Sequence, residues 1–78
     1  MATIRFFAGA AEAAGRSTIS VDSAPTVAGL LQQVSEGNDV LETVISHSLL
    51  LADGKKVLLT DSAASIETLD VLPPFAGG

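Results

Sequence analysis

The sequence predicts a small α+β domain in which one mixed sheet curls around a single main helix. Three observations predict it. Alternating apolar residues near both ends read as strands, and an apolar stripe at i, i+3, i+4, i+7 spacing reads as a helix between them. An Asp53-Gly54 pair between two β-prone runs reads as a hairpin. A chain of 78 residues has room for one core and no second domain.

Thr3 to Phe7 predicts the first strand, with Ile4, Phe6 and Ala8 on one face and Thr3, Arg5 and Phe7 on the other. The alanine-rich stretch from Gly9 to Gly15 is too long for a tight turn and suits a helical turn. Ser17 to Val21 alternates again, with Ile19 and Val21 inward, and completes a hairpin with a wide loop. Thr26 then offers its hydroxyl to the free amides of a helix whose buried stripe is Val27, Leu30, Leu31 and Val34. Gly29 inside that helix costs about 1 kcal/mol against alanine, so a close backbone approach is expected there; Gly37 ends the helix.

Asp39 with Glu42 predicts a second helix start, with Val40, Leu41, Val44 and Ile45 as its apolar face. Leu49 to Ala52 and Lys55 to Leu59 form the hairpin around Asp53-Gly54. After a polar loop from Thr60 to Ser65, Glu67 to Leu72 is the last strand.

Composition narrows the function. Apolar residues are 47% of the chain and charged residues 17%, which argues against disorder. No apolar run approaches the roughly 20 residues of a membrane span, and Met1 to Arg5 has no secretory pattern, so a cytoplasmic domain is expected. Cysteine is absent, which excludes disulfide scaffolds, thiolate metal sites and a cysteine nucleophile. The one histidine, His47, cannot form a multi-histidine metal site. Nine acidic residues against four basic ones give a net charge of −5, which disfavours nucleic acid and anionic membranes and suits a basic protein surface.

His47 with Ser46, Ser48 and Asp53 has the residue types of a hydrolytic triad, but a triad is defined by geometry and the spacing supplies none. His47 reads as a surface or capping residue at a helix-to-strand junction. Lys55-Lys56 reads as a solvated edge that opposes sheet-to-sheet aggregation. Glu12, Glu42 and Asp70 read as surface and helix-end charge.

The distinctive chemistry lies at the end of the chain, Leu72-Pro73-Pro74-Phe75-Ala76-Gly77-Gly78. Pro73 and Pro74 lack amide donors and so end the ladder of the last strand. Residues 1–74 then form the domain and residues 75–78 a thin, flexible tail that reaches about 13–14 Å when extended. Such a tail fits a narrow passage in another protein and presents the α-carboxylate of Gly78 at its tip. Adenylation by ATP in a partner enzyme turns that carboxylate into an electrophile. Sulfide or a persulfide can then displace AMP to leave a thiocarboxylate, and an amine or thiol can displace it to form a conjugate.

The pieces Ile4-Arg5-Phe6-Phe7-Ala8, Glu12-Ala13-Ala14-Gly15, Pro25-Thr26-Val27 with Leu30-Leu31, and above all the Pro-Pro-Phe-Ala-Gly-Gly ending resemble the small subunit of molybdopterin synthase. That subunit belongs to the ubiquitin-like β-grasp sulfur carriers, which include the thiamine sulfur carriers. The resemblance implies a β-grasp fold and a cycle in which Gly78 is adenylated, becomes a thiocarboxylate and gives its sulfur to a pyranopterin precursor in molybdenum cofactor biosynthesis. It implies a ubiquitin-activating-like adenylating enzyme, a sulfur donor, and a large synthase subunit in a heterotetramer as partners. Gly78 then carries the sulfur, Gly77 and Ala76 thread the channel, and Pro73, Pro74 and Phe75 sit at its mouth. Phe7 supplies an apolar docking patch. No metal or organic cofactor is expected on the chain itself; ATP is used by the adenylating enzyme. The chain departs from the family pattern at Ser62 to Thr68, at Ala52-Asp53-Gly54 and at Gly29.

Two further readings use the same tail: a sulfur carrier for thiazole, cysteine or tRNA thiolation, and a ubiquitin-like protein modifier joined to lysine through Gly78. A β-grasp interaction module with an inert end is the alternative without tail chemistry.

Overall fold

A computed structural model describes residues 1–74, so the expectations for Phe75, Ala76, Gly77 and Gly78 lie outside the described residues. The elements follow the order β1 (Ala2–Phe6), α1 (Gly9–Ala14), β2 (Thr18–Val21), α2 (Val27–Ser35), α3 (Asp39–Ser46), β3 (Leu49–Ala52), β4 (Lys55–Lys56) and β5 (Thr68–Leu72). Five strands form one mixed sheet in the order β2-β1-β5-β3-β4. β1 and β5 run parallel at its centre, while β2 and β3 flank them antiparallel. This is the α+β arrangement expected, with α2 as the main helix against one face.

The alternation of β1 decides which face is covered. Ile4 and Phe6 turn inward and are buried, as are Leu69 and Val71 of β5 and Leu50 of β3. Val27, Leu30 and Leu31 of α2 and Leu41 and Ile45 of α3 close the core from the other side. The Thr26 hydroxyl accepts from the Gly29 amide at 3.2 Å and starts α2 as predicted. The expected close approach at Gly29 is present: a Cβ there would meet the Ala24 Cβ at 3.0 Å. Asp53 and Gly54 both adopt positive φ (49° and 87°), which matches the twist of the β3–β4 hairpin.

Four expectations need correction. Ala8 is not on the inner face of β1, because the strand stops at Phe6 and Ala8 swings to φ 51° to start α1, leaving it exposed. The cap of α3 is Asn38, one residue before Asp39. The Asn38 Oδ1 accepts from the Leu41 amide and its Nδ2 donates to the Ala13 carbonyl, both at 3.0 Å. With that start, Leu41, Val44 and Ile45 face the core and Val40 points out at 66% exposure. The second hairpin arm is only Lys55–Lys56, because the Asp61 carboxylate takes the Leu58 amide at 2.8 Å and draws the chain into a turn beside α2. Asp70 is not a surface charge: its side chain is 13% exposed and held by Arg5.

Among the described residues, no helix is long and apolar enough to cross a membrane, and no group of three or more His, Asp or Glu residues is arranged to hold a metal ion.

Candidate functional site

The parallel pairing of β5 with β1 determines where the chain leaves the sheet. Val71 lies beside Phe6, and the Phe7 amide donates to the Val71 carbonyl at 3.2 Å. On the other side Leu72 pairs with Leu49, the first residue of β3. Pro73 and Pro74 therefore emerge between the end of β1 and the start of β3. With no amide hydrogen on either, they cannot extend the ladder.

At this exit the structure has a groove of about 480 Å³, lined by Phe7, Val44, His47, Leu72, Pro73 and Pro74 among others. Its walls come from the β1–α1 junction, the last turn of α3 and the end of β5. Phe7 is 39% exposed, Pro73 is half-buried and Pro74 is exposed. The structure thus brings Phe7, Pro73 and Pro74 together along one groove. Phe75, Ala76, Gly77 and Gly78 follow directly in the chain and lie outside the described residues.

The groove opens beside an apolar row on the outer face of the sheet. Phe7 continues the outward alternation of Arg5, and the Arg5 guanidinium carbon lies 5.7 Å from the Phe7 ring centroid, within cation–π range. Leu72 and Leu49 share that face on the next strands, and Leu49 is 43% exposed. One row inward, Arg5 grips Asp70 through Nε at 2.6 Å and Nη2 at 2.7 Å. The hydrogen bond to Asp70, and then its charge, raise the Arg5 pKa above the ordinary arginine value. The pair cancels charge beneath the row, while Lys56, across from Leu51, borders the same face.

Among the described residues, His47 is the one titratable side chain lining the groove. It caps the end of α3, with Nδ1 3.0 Å from the Thr43 carbonyl and 3.2 Å from the Ser46 hydroxyl. Asp53 lies at the other end of β3, where its carboxylate accepts from the amides of Glu67 (3.2 Å) and Thr68 (2.9 Å). Asp53 therefore stands apart from the Ser46–His47 pair, its carboxylate taken up by the Glu67 and Thr68 amides, and no triad forms. The described lining of the groove is mostly apolar and includes no serine or carboxylate beside His47.

Leu49, Leu72 and Val44 are site residues that sequence reasoning missed. Leu49-Leu50-Leu51 is apolar at every position, so alternation does not tell its faces apart; only its register against β5 does. Val44 belongs to the apolar face of α3, where it is half-buried and also lines the groove.

No family model matches the sequence, and no curated protein is significantly similar to it. Solved structures are. The crystal structure of SAMP1 from Haloferax volcanii is 28% identical with a TM-score of 0.78, the match covering 97% of each chain. A crystal structure of small archaeal modifier protein 1 from the same organism is 27% identical with a TM-score of 0.73, covering 95% of this chain and 99% of that one. The solution structure of a Haloferax volcanii protein is 29% identical with a TM-score of 0.70, covering 97% of this chain and 84% of the other. This chain therefore has a ubiquitin-like β-grasp fold, similar over nearly its whole length to small archaeal modifier proteins.

Proposed function

We propose that this protein is a ubiquitin-like modifier whose Gly78 carboxylate is activated by a partner adenylating enzyme. The likeness to SAMP1 over 97% of both chains carries the reading. The apolar groove and row at the root of residues 75–78 support it, because they give the partner a seat beside the reacting end. In the reaction a Gly78 carboxylate oxygen attacks the α-phosphate of ATP, and pyrophosphate leaves. A lysine amine of the target then attacks the acyl carbon, AMP departs with the bonding electrons, and the amine loses a proton as the isopeptide bond forms. Phe7, Pro73, Pro74, Phe75 and Ala76 dock and guide the tail, and Gly77 keeps it thin beside the acyl-adenylate.

The ending Pro73-Pro74-Phe75-Ala76-Gly77-Gly78 favours a second reading, the sulfur carrier of molybdopterin synthase. There sulfide displaces AMP, and the resulting thiocarboxylate supplies sulfur to the pyranopterin precursor bound by the large subunit. Both readings need the same activation step, and they differ in what accepts the acyl or sulfur group.

The test is to express wild type and Gly78→Ala in cells and probe extracts for covalent adducts. The modifier reading predicts higher-mass conjugates that Gly78→Ala lacks, although the variant folds normally. A thiocarboxylate without conjugates, and a stable complex with the large synthase subunit, favours the second reading. Equal behaviour of the two chains contradicts both.

A further inference from the structure

We propose that two copies of this chain pair edge to edge through β2, in an antiparallel ladder centred on Ile19. β2 is an outer strand of the sheet, so among the described residues one side of its backbone has no neighbouring strand. The Phe6 amide donates to the Ser17 carbonyl at 2.8 Å, and the register sets Ile4 against Ile19 and Ala2 against Val21. Antiparallel residues alternate between pairs that exchange both hydrogen bonds and pairs that exchange none. Ser17, Ile19 and Val21 therefore turn their backbone groups toward β1, and Thr18 and Ser20 turn theirs outward.

At the next outward positions the Arg16 amide and both Asp22 backbone groups are engaged. The Arg16 amide donates to the Ala11 carbonyl at 3.2 Å. The Asp22 amide donates to Gln33 Oε1 at 2.9 Å, and the Asp22 carbonyl accepts from Gln33 Nε2 at 2.8 Å. The Gln33 carboxamide thus pairs with Asp22 as the peptide group of a neighbouring strand would. Among the described residues, Thr18 and Ser20 are the positions of this edge whose outward amide and carbonyl are both open, and they take an extended backbone of matching length.

A second copy meets that requirement in one register. Centred on Thr18 or on Ser20, the ladder would bring an open position against Arg16, whose amide is engaged, or against Asp22, whose amide and carbonyl both are. Centred on Ile19, Thr18 faces Ser20 of the second copy, and all four open positions pair. The same register sets Arg16 opposite Asp22 of the second copy, twice over, because a two-fold contact repeats each pair. Both side chains are exposed, and among the described residues neither makes an ion pair within its own chain. Ile19, half-buried on the inner face, meets its counterpart and extends the core across the junction. The opposite edge differs: β4 consists of Lys55 and Lys56 alone, whose like charges oppose self-pairing. β2 shares no residue with the groove, so the contact is independent of tail chemistry.

The ladder is short and each copy carries a net charge of −5, so the dimer is weak and forms at high micromolar to millimolar concentration. Sedimentation equilibrium and amide NMR of the full chain over that range test it. The Thr18 and Ser20 amides should shift and gain exchange protection with concentration, while those of Lys55 and Lys56 do not. Asp22→Arg and Arg16→Asp, both at exposed positions, should each weaken association by about tenfold or more through like-charge pairing. An equimolar mixture of the two variants should recover it, because each then faces its opposite charge. Circular dichroism shows whether both variants fold. A chain that stays monomeric at millimolar concentration, or single variants that associate as well as wild type, or a mixture without recovery, overturns the proposal.

Discussion

Arg5 and Asp70 stand side by side on the two parallel central strands, joined by paired hydrogen bonds of 2.6 and 2.7 Å on the outer face of the sheet. The carboxylate is mostly covered and the guanidinium half open. Because Asp70 raises the Arg5 pKa, the contribution of this arginine is fully present below the ordinary arginine range and fades only in strongly alkaline solution. Arg5→Gln and Asp70→Asn should each lower the melting temperature, and the double variant should lose less than their sum, since the two act through one contact. Additive losses in a thermal double-mutant cycle would show that the pair is not coupled.

The exposed row beside the groove should serve binding and not stability. Phe7→Ser with Leu49→Ser should weaken capture by the adenylating enzyme by about tenfold or more, as expected for apolar anchors of an interface. Each change should move stability by only about 0.5 kcal/mol, as at other exposed positions. Titration calorimetry against the enzyme, with thermal unfolding alongside, separates the two effects. Full binding by the double variant would remove this row from the docking face.

Asn38 joins two helices with one side chain, capping α3 at the Leu41 amide and donating to the Ala13 carbonyl of α1. Asn38→Ala should cost about 2 kcal/mol, the upper part of the range for a lost cap. Asn38→Asp keeps the cap and loses the donor, so it should recover about half of that in urea unfolding.

Gly29→Ala would add about 1 kcal/mol of stability in an open helix. Here the new Cβ would stand 3.0 Å from the Ala24 Cβ, closer than carbon atoms settle. The neighbouring Pro25 carbonyl is tied to the Ala63 amide at 2.9 Å, which limits how far that segment can give way. The variant should therefore melt no higher than wild type, and a clear rise in melting temperature would show that the loop yields.

Most of the fold was legible in local pattern. The stripe from Val27, the Thr26 cap and the Asp53-Gly54 turn each depend on residues close in sequence, and each appears where expected. What was not legible depends on pairing across the chain. Asp70 reads as an exposed charge until β5 is laid beside β1, which brings Arg5 against it across 65 positions. Leu49-Leu50-Leu51 has no alternation to show which face is outward until Leu49 is set against Leu72. Val57 to Leu59 has strand propensity, but the Asp61 carboxylate competes for the Leu58 amide and ends the ladder. For the candidate site, Phe7, Pro73 and Pro74 were readable because prolines and an out-facing aromatic carry local signals. The groove they share with Val44 and His47 required the tertiary fold.

The central claim is that Gly78 is activated as a carboxylate, and intact mass tests it most directly. The chain is incubated with the adenylating enzyme of its host, ATP and a sulfide source, so that sulfide displaces AMP from the acyl-adenylate common to both readings, and is then weighed. The account predicts the shift of one oxygen replaced by sulfur, localised to Gly78 by fragmentation. An unchanged mass, with the enzyme shown to be active on another substrate, would contradict it.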